Sequence, residues 1–202
     1  MRAIVVRHYK TLINASDLIM GWGDAPRVKE WERDLAWVDK RLRELEIGVD
    51  GVYSSILERA RQTAMYYARQ RGIHLVRDLA ALNEINYGSL YKKSKKWVAK
   101  NIPEYKTDPD FVFPQGESFR QMQQRSVAFF QSLSAQHQGR TVLVVVHAGV
   151  IRGLICHFLG LDYASNLKRK ITHRYIGDFT LEDSVCTRYD ELGEPSAFLK
   201  QG

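Results

Sequence analysis

The chain has 202 residues, with 30 Lys and Arg against 23 Asp and Glu, a formal net charge of +7 and 45% hydrophobic residues. That balance excludes a disordered or collagen-like chain, and a chain of this length buries roughly 70% of its extended surface without covalent staples. Cys156 and Cys186 are the only cysteines, too few for a disulfide framework, and both are read as thiols of a reducing compartment.

The first apolar run, Ala3 to Val6, is too short for the core of a signal peptide. No stretch approaches the roughly 20 apolar residues of a membrane span. A soluble, cytoplasmic chain with no membrane partner is expected. The excess of positive charge favours anionic partners without saying which.

In chain order, Ala3 to Val6 reads as a buried parallel strand. A helix is expected over about 28–45, because Trp31, Leu35, Val38, Leu42 and Leu45 step by four and three along one face. Gly51-Val52-Tyr53 is a second strand. Leu57 to Arg71 is a helix with Leu57, Ala60, Ala64 and Tyr67 on one side, and His74-Leu75-Val76 is a weak third strand. Glu117 to Gln136 reads as a helix with Phe119, Met122, Phe129 and Leu133 inward. Thr141 to Val146 is the strongest strand, and Val150 to Leu159 is a helix closed near Gly160. Ile171 to Asp190 alternates well enough for one or two strands.

This alternation predicts an α/β fold, a three-layer sandwich with a mostly parallel sheet and helices on both faces. One domain over 1–202 is expected. The segment 85–115, rich in proline and lysine, breaks the rhythm and is read as a cap insertion with a short helix around Lys95 to Lys100.

In such sheets ligands bind beyond the carboxyl ends of the strands. Arg7 and His8 follow the first strand. Ser54, Ser55 and, within a turn, Arg59 follow the second. His147, Ala148 and Gly149 follow the strongest strand, where the start of a helix aims backbone amides at any bound oxyanion. Glu84 lies in the irregular stretch after the third strand. Arginines hold phosphate through paired hydrogen bonds. A neutral histidine attacks phosphorus, and nearby positive charge keeps it neutral. A carboxylic acid protonates the leaving oxygen. Taken singly, each residue has a bland reading: a satisfied strand-end histidine, an exposed helix arginine, a solvated loop glutamate. Their convergence at one sheet edge is what favours chemistry.

The sequence resembles the histidine phosphatase superfamily, the phosphoglycerate-mutase-like proteins. The resemblance rests on Arg7-His8, then Thr11 and Asn14; on Gly21-Trp22-Gly23-Asp24-Ala25-Pro26; and on Ser55-Ile56-Leu57-Glu58-Arg59-Ala60-Arg61-Gln62-Thr63-Ala64. It continues through Leu82, Glu84 and Gly88, through Gly116-Glu117-Ser118, and through Val145-Val146-His147-Ala148-Gly149-Val150-Ile151-Arg152. These run in order over roughly residues 3 to 161, and the tail from about Asp162 matches loosely.

The resemblance implies that His8 is a nucleophile that becomes phosphohistidine. It implies that Arg7, Arg59 and His147 bind the phosphoryl oxygens, that Glu84 is the proton donor, and that Asn14 contacts the phosphoryl group or substrate; Ala148, at the helix start, is the phosphate-binding position expected from its free backbone amide. It implies no metal and no cofactor, and none of the six histidines shows ligand spacing. The chain departs from the family at Tyr9, where a glycine is usual, and at Lys10, where glutamate is common. The tyrosine is expected to narrow the pocket, to present a hydroxyl there, or to impair turnover.

The reading that follows is a metal-independent phosphatase acting on a small anionic phosphomonoester. A phosphoglycerate-mutase-type transfer and a catalytically impaired polyanion-binding member are the rivals. The run Lys92, Lys93, Lys95, Lys96 and Lys100, with Tyr91 and Trp97, reads as a solvated face or as a cap that steers an anionic substrate. Nucleic acid is the least favoured partner, and Trp97 is expected to be packed.

Overall fold

The strongest strand of the sequence sits inside the sheet. In the computed structural model, which describes residues 1–74, 76–167 and 169–194, six strands lie in the order β3-β2-β4-β1-β5-β6. They are β1 (Arg2–Arg7), β2 (Gly51–Ser54), β3 (Val76–Asp78), β4 (Thr141–Val146), β5 (Ile176–Glu182) and β6 (Val185–Glu191). The β3-β2, β2-β4 and β4-β1 pairs are parallel, and β1-β5 and β5-β6 are antiparallel.

Side-chain alternation divides the core into two layers. Ala3 and Val5 of β1 and Val142, Val144 and Val146 of β4 face one cluster, packed with helices α5 (Phe119–Gln136) and α6 (Ala148–Leu159). Ile4, Val6, Leu143 and Val145 face the other, packed with α1 (Trp31–Glu44) and α2 (Glu58–Arg71). Both faces being covered is why these strands read as unbroken apolar runs.

The structure differs from the sequence reading at several points. Helix α1 begins at Trp31 rather than near Val28, because the Val28 amide donates to the Lys10 carbonyl at 3.1 Å and holds the chain against the loop after β1. The third strand is Val76–Asp78, displaced from the expected His74-Leu75-Val76, and Leu75 lies outside the described residues. In α5 the buried stripe runs through Ser126 and Phe130, with Phe129 only partly buried. Ser126 satisfies its buried hydroxyl by donating to the Met122 carbonyl of the same helix at 2.9 Å, a polar residue on a core face that an apolar count passes over.

Helix α5 starts later than expected, at Phe119, where Ser118 and Gln121 form a reciprocal capping box. The β5-β6 hairpin turns through Asp183 and Ser184, both at positive φ. Two-residue loops need that backbone, and Asp-Gly or Asn-Gly would have signalled it more clearly.

The segment after β3 forms two short 3-10 turns, Ala80–Leu82 and Gly88–Leu90, then α3 (Lys95–Asn101) and α4 (Glu104–Thr107). It is tied to the loop after β1 through an isolated bridge between Leu18 and Ser94. Trp97 is 48% exposed, contrary to expectation, with the Lys93 ammonium 5.6 Å from its ring centroid. Val98 takes the inward position of this short helix. A last helix, α7 (Tyr163–Leu167), precedes the hairpin. Among the described residues no helix is long and apolar enough to cross a membrane.

Candidate active site

Strand register brings the two key imidazoles together. In the β1-β4 ladder Arg7 pairs with Val146, so the next residues, His8 and His147, leave the sheet side by side. The His8 amide donates to the Val146 carbonyl at 3.0 Å, and the two rings lie 5.0 Å apart between centroids. Both residues are buried.

The protonation of His8 follows from its partner. Its Nδ1 lies 2.6 Å from the carbonyl oxygen of Tyr9. A carbonyl only accepts, so Nδ1 carries the proton and Nε2 of the neutral ring is left with a lone pair. Burial pushes the His8 imidazole well below its usual value, with Arg59, His147 and Arg7 adding to the effect. A buried ring among guanidinium groups stays uncharged and nucleophilic at neutral pH.

His147 is held from the other side. Its Nε2 lies 2.6 Å from the hydroxyl of Ser55, which also accepts from the Leu57 amide at 3.3 Å. When Ser55 gives its O–H to Nε2, the ring proton sits on Nδ1, a buried atom without a partner. Burial, with Arg59 and Arg7, also keeps this ring well below its usual pKa.

Two other buried donors without partners belong to the same group, Nε of Arg7 and Nε of Arg59. A buried donor left unmatched costs about 1–3 kcal/mol, so these two guanidinium donors, joined by His147 Nδ1 when Ser55 donates, suit a ligand that brings acceptor oxygens. Arg59, 1% exposed, uses its terminal nitrogens to brace the loop after β1, donating to the carbonyls of Gly21 at 2.7 Å and Gly23 at 2.8 Å. Gly21 has φ of +54°, which glycine adopts without strain. Arg7 donates from Nη1 to the Ile171 carbonyl at 2.5 Å, and burial, with Arg152 nearby, pushes its guanidinium down to about 10.

Glu84 reaches the start of α6, two residues past His147. Its Oε1 accepts from the Ile85 amide at 3.0 Å and its Oε2 from the Gly149 amide at 3.2 Å, at the first turn of α6. Trp22 Nε1 and Arg125 Nη2 both donate to the Glu84 backbone carbonyl, at 2.5 and 3.0 Å. The side chain is thus fixed by two amides and its backbone by two neighbouring side chains.

The remaining expected positions differ in kind. Ala148 opens α6, so its amide has no partner within the helix and faces the strand ends. Asn14 turns its Oδ1 to the Thr11 amide at 3.2 Å, a contact that shapes the loop after β1. Tyr9 does not narrow the cluster. It is buried between α1 and α2, its ring edge-on to Trp31 with centroids 5.3 Å apart and its hydroxyl donating to Gln62 Oε1 at 3.1 Å. Among the described residues no group of three or more His, Cys, Asp or Glu side chains is placed to hold a metal ion.

Sequence reasoning missed His173. Its Nδ1 lies 2.7 Å from the His8 carbonyl and its ring is 5.6 Å from that of His8. It also left Ser55 and Gly149 without roles. Both lie inside motifs already noted, but their partners, His147 and Glu84, come from elements far away in the chain.

A family model for the histidine phosphatase superfamily (branch 1) matches residues 3–187. The chain belongs to the histidine phosphatase superfamily. It is an enzyme of the histidine phosphatase type, as the sequence resemblance implied. It is 32% identical over 169 residues to the metal-independent phosphoserine phosphatase of Arabidopsis thaliana, covering 81% of this chain and 69% of that protein. It is 27% identical over 169 residues to the 2,3-bisphosphoglycerate-dependent phosphoglycerate mutase of Bartonella tribocorum, covering 79% and 82%. Among solved structures it is similar to Bacillus stearothermophilus YhfR, with a TM-score of 0.81, 24% identity and 96% of each chain covered. That likeness, under 25% in identity, is one of fold.

Proposed function

We propose that this histidine phosphatase is a metal-independent hydrolase of a small, anionic phosphomonoester, working through a phosphohistidine. The observation that carries the reading is the 2.6 Å bond from His8 Nδ1 to the Tyr9 carbonyl, which leaves Nε2 as the lone-pair nitrogen beside His147.

The roles follow from placement. The Nε2 lone pair of His8 attacks phosphorus, an N–P bond forms and the ester P–O bond breaks. Arg7, Arg59, His147 Nδ1 and the amide of Ala148 donate to the phosphoryl oxygens as charge develops on them. Glu84 gives a proton to the departing oxygen, then takes one from water as that water attacks phosphorus. The N–P bond breaks, inorganic phosphate leaves and His8 regains its lone pair. Asn14 shapes the loop at the substrate side. The segment 85–115 acts as a cap whose exposed lysines draw in anionic substrates.

Relatives are named for phosphoserine hydrolysis and for phosphoglycerate mutation, and a solved structure of similar fold is a mycobacterial glucosyl-3-phosphoglycerate phosphatase. L-phosphoserine, 3-phosphoglycerate and a sugar phosphoglycerate therefore head the substrate panel. Free phosphate is expected as the product, with acid-labile label on the protein in a rapid quench. Isomerised phosphoglycerate without phosphate release would establish the mutase reading instead. His8→Ala is expected to abolish turnover, and undiminished hydrolysis by that variant would falsify the assignment.

A further inference from the structure

We infer that His173 is a positioning residue of the phosphoryl-transfer site, holding through Nδ1–H the peptide that aims the nucleophile. The inference deepens the phosphatase reading and rests on it for its kinetic consequences.

The peptide between His8 and Tyr9 lies past the last paired residues of β1. The antiparallel ladder to β5 ends at Val6 opposite Ile176, so no backbone bond from β5 reaches it. Side chains replace the ladder. His173, just ahead of β5, stands with Nδ1 2.7 Å from the His8 carbonyl. That oxygen only accepts, so His173 is the donor. On the other end, Thr63 Oγ1 accepts from the Tyr9 amide at 3.0 Å. With both polar ends fixed, the next carbonyl, that of Tyr9, points back at His8 Nδ1. The contact therefore bears on both the direction and the tautomer of the attacking ring.

The same tail segment serves Arg7. Ile171, two residues earlier, accepts from Arg7 Nη1, and Arg169 offers its carbonyl to Arg152 of α6 at 2.9 and 3.1 Å. One stretch of chain thus bears on two consecutive site residues. His173 itself stands behind the nucleophile, reaching its backbone rather than the reacting atoms.

The test uses the full chain with H173N, whose amide nitrogen can stand where Nδ1 stands, and H173F, which keeps the ring and has no hydrogen to give. A second donor-less variant, H173L, covers the case in which phenylalanine does not fold, as judged by thermal melting. Turnover and the imidazole nitrogen resonances of His8 are both read. Wild type and H173N are expected to show His8 as a single Nδ1–H tautomer and to agree in kcat within about threefold. The donor-less variants are expected to lose about 10- to 100-fold in kcat with KM little changed, and to show mixed His8 tautomers.

Donor-less variants that match wild type in both readouts overturn the inference. So does an H173N variant as slow as they are. A wild-type protein that hydrolyses no phosphomonoester sinks the phosphatase reading alone, because the tautomer signal still decides whether His173 positions His8.

Discussion

A Cβ placed on Gly149 would stand 2.1 Å from Oε1 of Glu84. The glycine in the first turn of α6 is thus what lets the carboxylate approach the helix and accept the Gly149 amide at 3.2 Å. No left-handed φ is involved, so the constraint is one of space alone.

Gly149→Ala is therefore expected to move the carboxylate and leave the fold in place, because the atom in the way is the tip of a rotatable side chain. Turnover should fall about 10- to 100-fold, while the melting temperature shifts by only a few degrees. Equal losses in both would mean that the helix, and not Glu84, is what the glycine serves.

Tyr9 makes the opposite kind of claim. Its ring fills the core between α1 and α2 against Trp31, whereas its backbone carbonyl serves His8. Tyr9→Ala should cost about 3–5 kcal/mol of stability, as other large aromatic truncations do. That lowers the melting temperature by about 10 °C in a chain of this size. Below that temperature kcat/KM should stay within a few-fold of wild type, since the carbonyl remains. A large loss of kcat/KM in the folded variant would show that the ring itself acts on the site.

The sequence made much of this site legible because the parallel sheet is regular. Apolar runs locate β1, β2 and β4, and whatever polar residue follows each run must lie at one edge, which is how Arg7, His8, Arg59 and His147 could be grouped. Glu84 was reached through the family motif more than through periodicity, since its stretch contains only a three-residue 3-10 turn. The destination of Tyr9 was not legible, because one side chain past a strand end can turn to either face. His173 was not legible either. Its segment has no periodicity, the resemblance fades there, and its significance lies in a contact across 165 residues of chain.

Three imidazoles held neutral by burial have a consequence for stability in acid. His8, His147 and His173 all lie well below their ordinary value of 6.5 in the folded protein. The unfolded chain binds their protons near pH 6.5, and the folded chain does so only well below it. Their contribution is complete well above pH 6.5 and is lost as pH falls through and below it, by up to about 1.4 kcal/mol per pH unit for each ring. Asp17 and Asp162, whose carboxyls are held below 3.8, act only at lower pH. Urea midpoints at pH 7.5, 6.5 and 5.5 should fall slightly over the first step and about three times as far over the second. A flat profile through pH 5.5 would mean that the rings accept protons while folded.

The role given to Glu84 is tested by varying the leaving group. An alkyl ester expels an alkoxide that needs a proton as the bond breaks, whereas a nitrophenolate departs without one. Glu84→Gln keeps the size of the side chain and an oxygen for the Gly149 amide, at the loss of the bond from the Ile85 amide, and has no acidic proton. It should slow alkyl phosphates about 10²- to 10⁴-fold and an activated aryl phosphate under about tenfold. Phosphohistidine should build up in the aryl reaction, because the same residue activates the water that clears it. Equal slowing of both esters, with no trapped label, would assign Glu84 to holding the active site together and leave the proton to another donor.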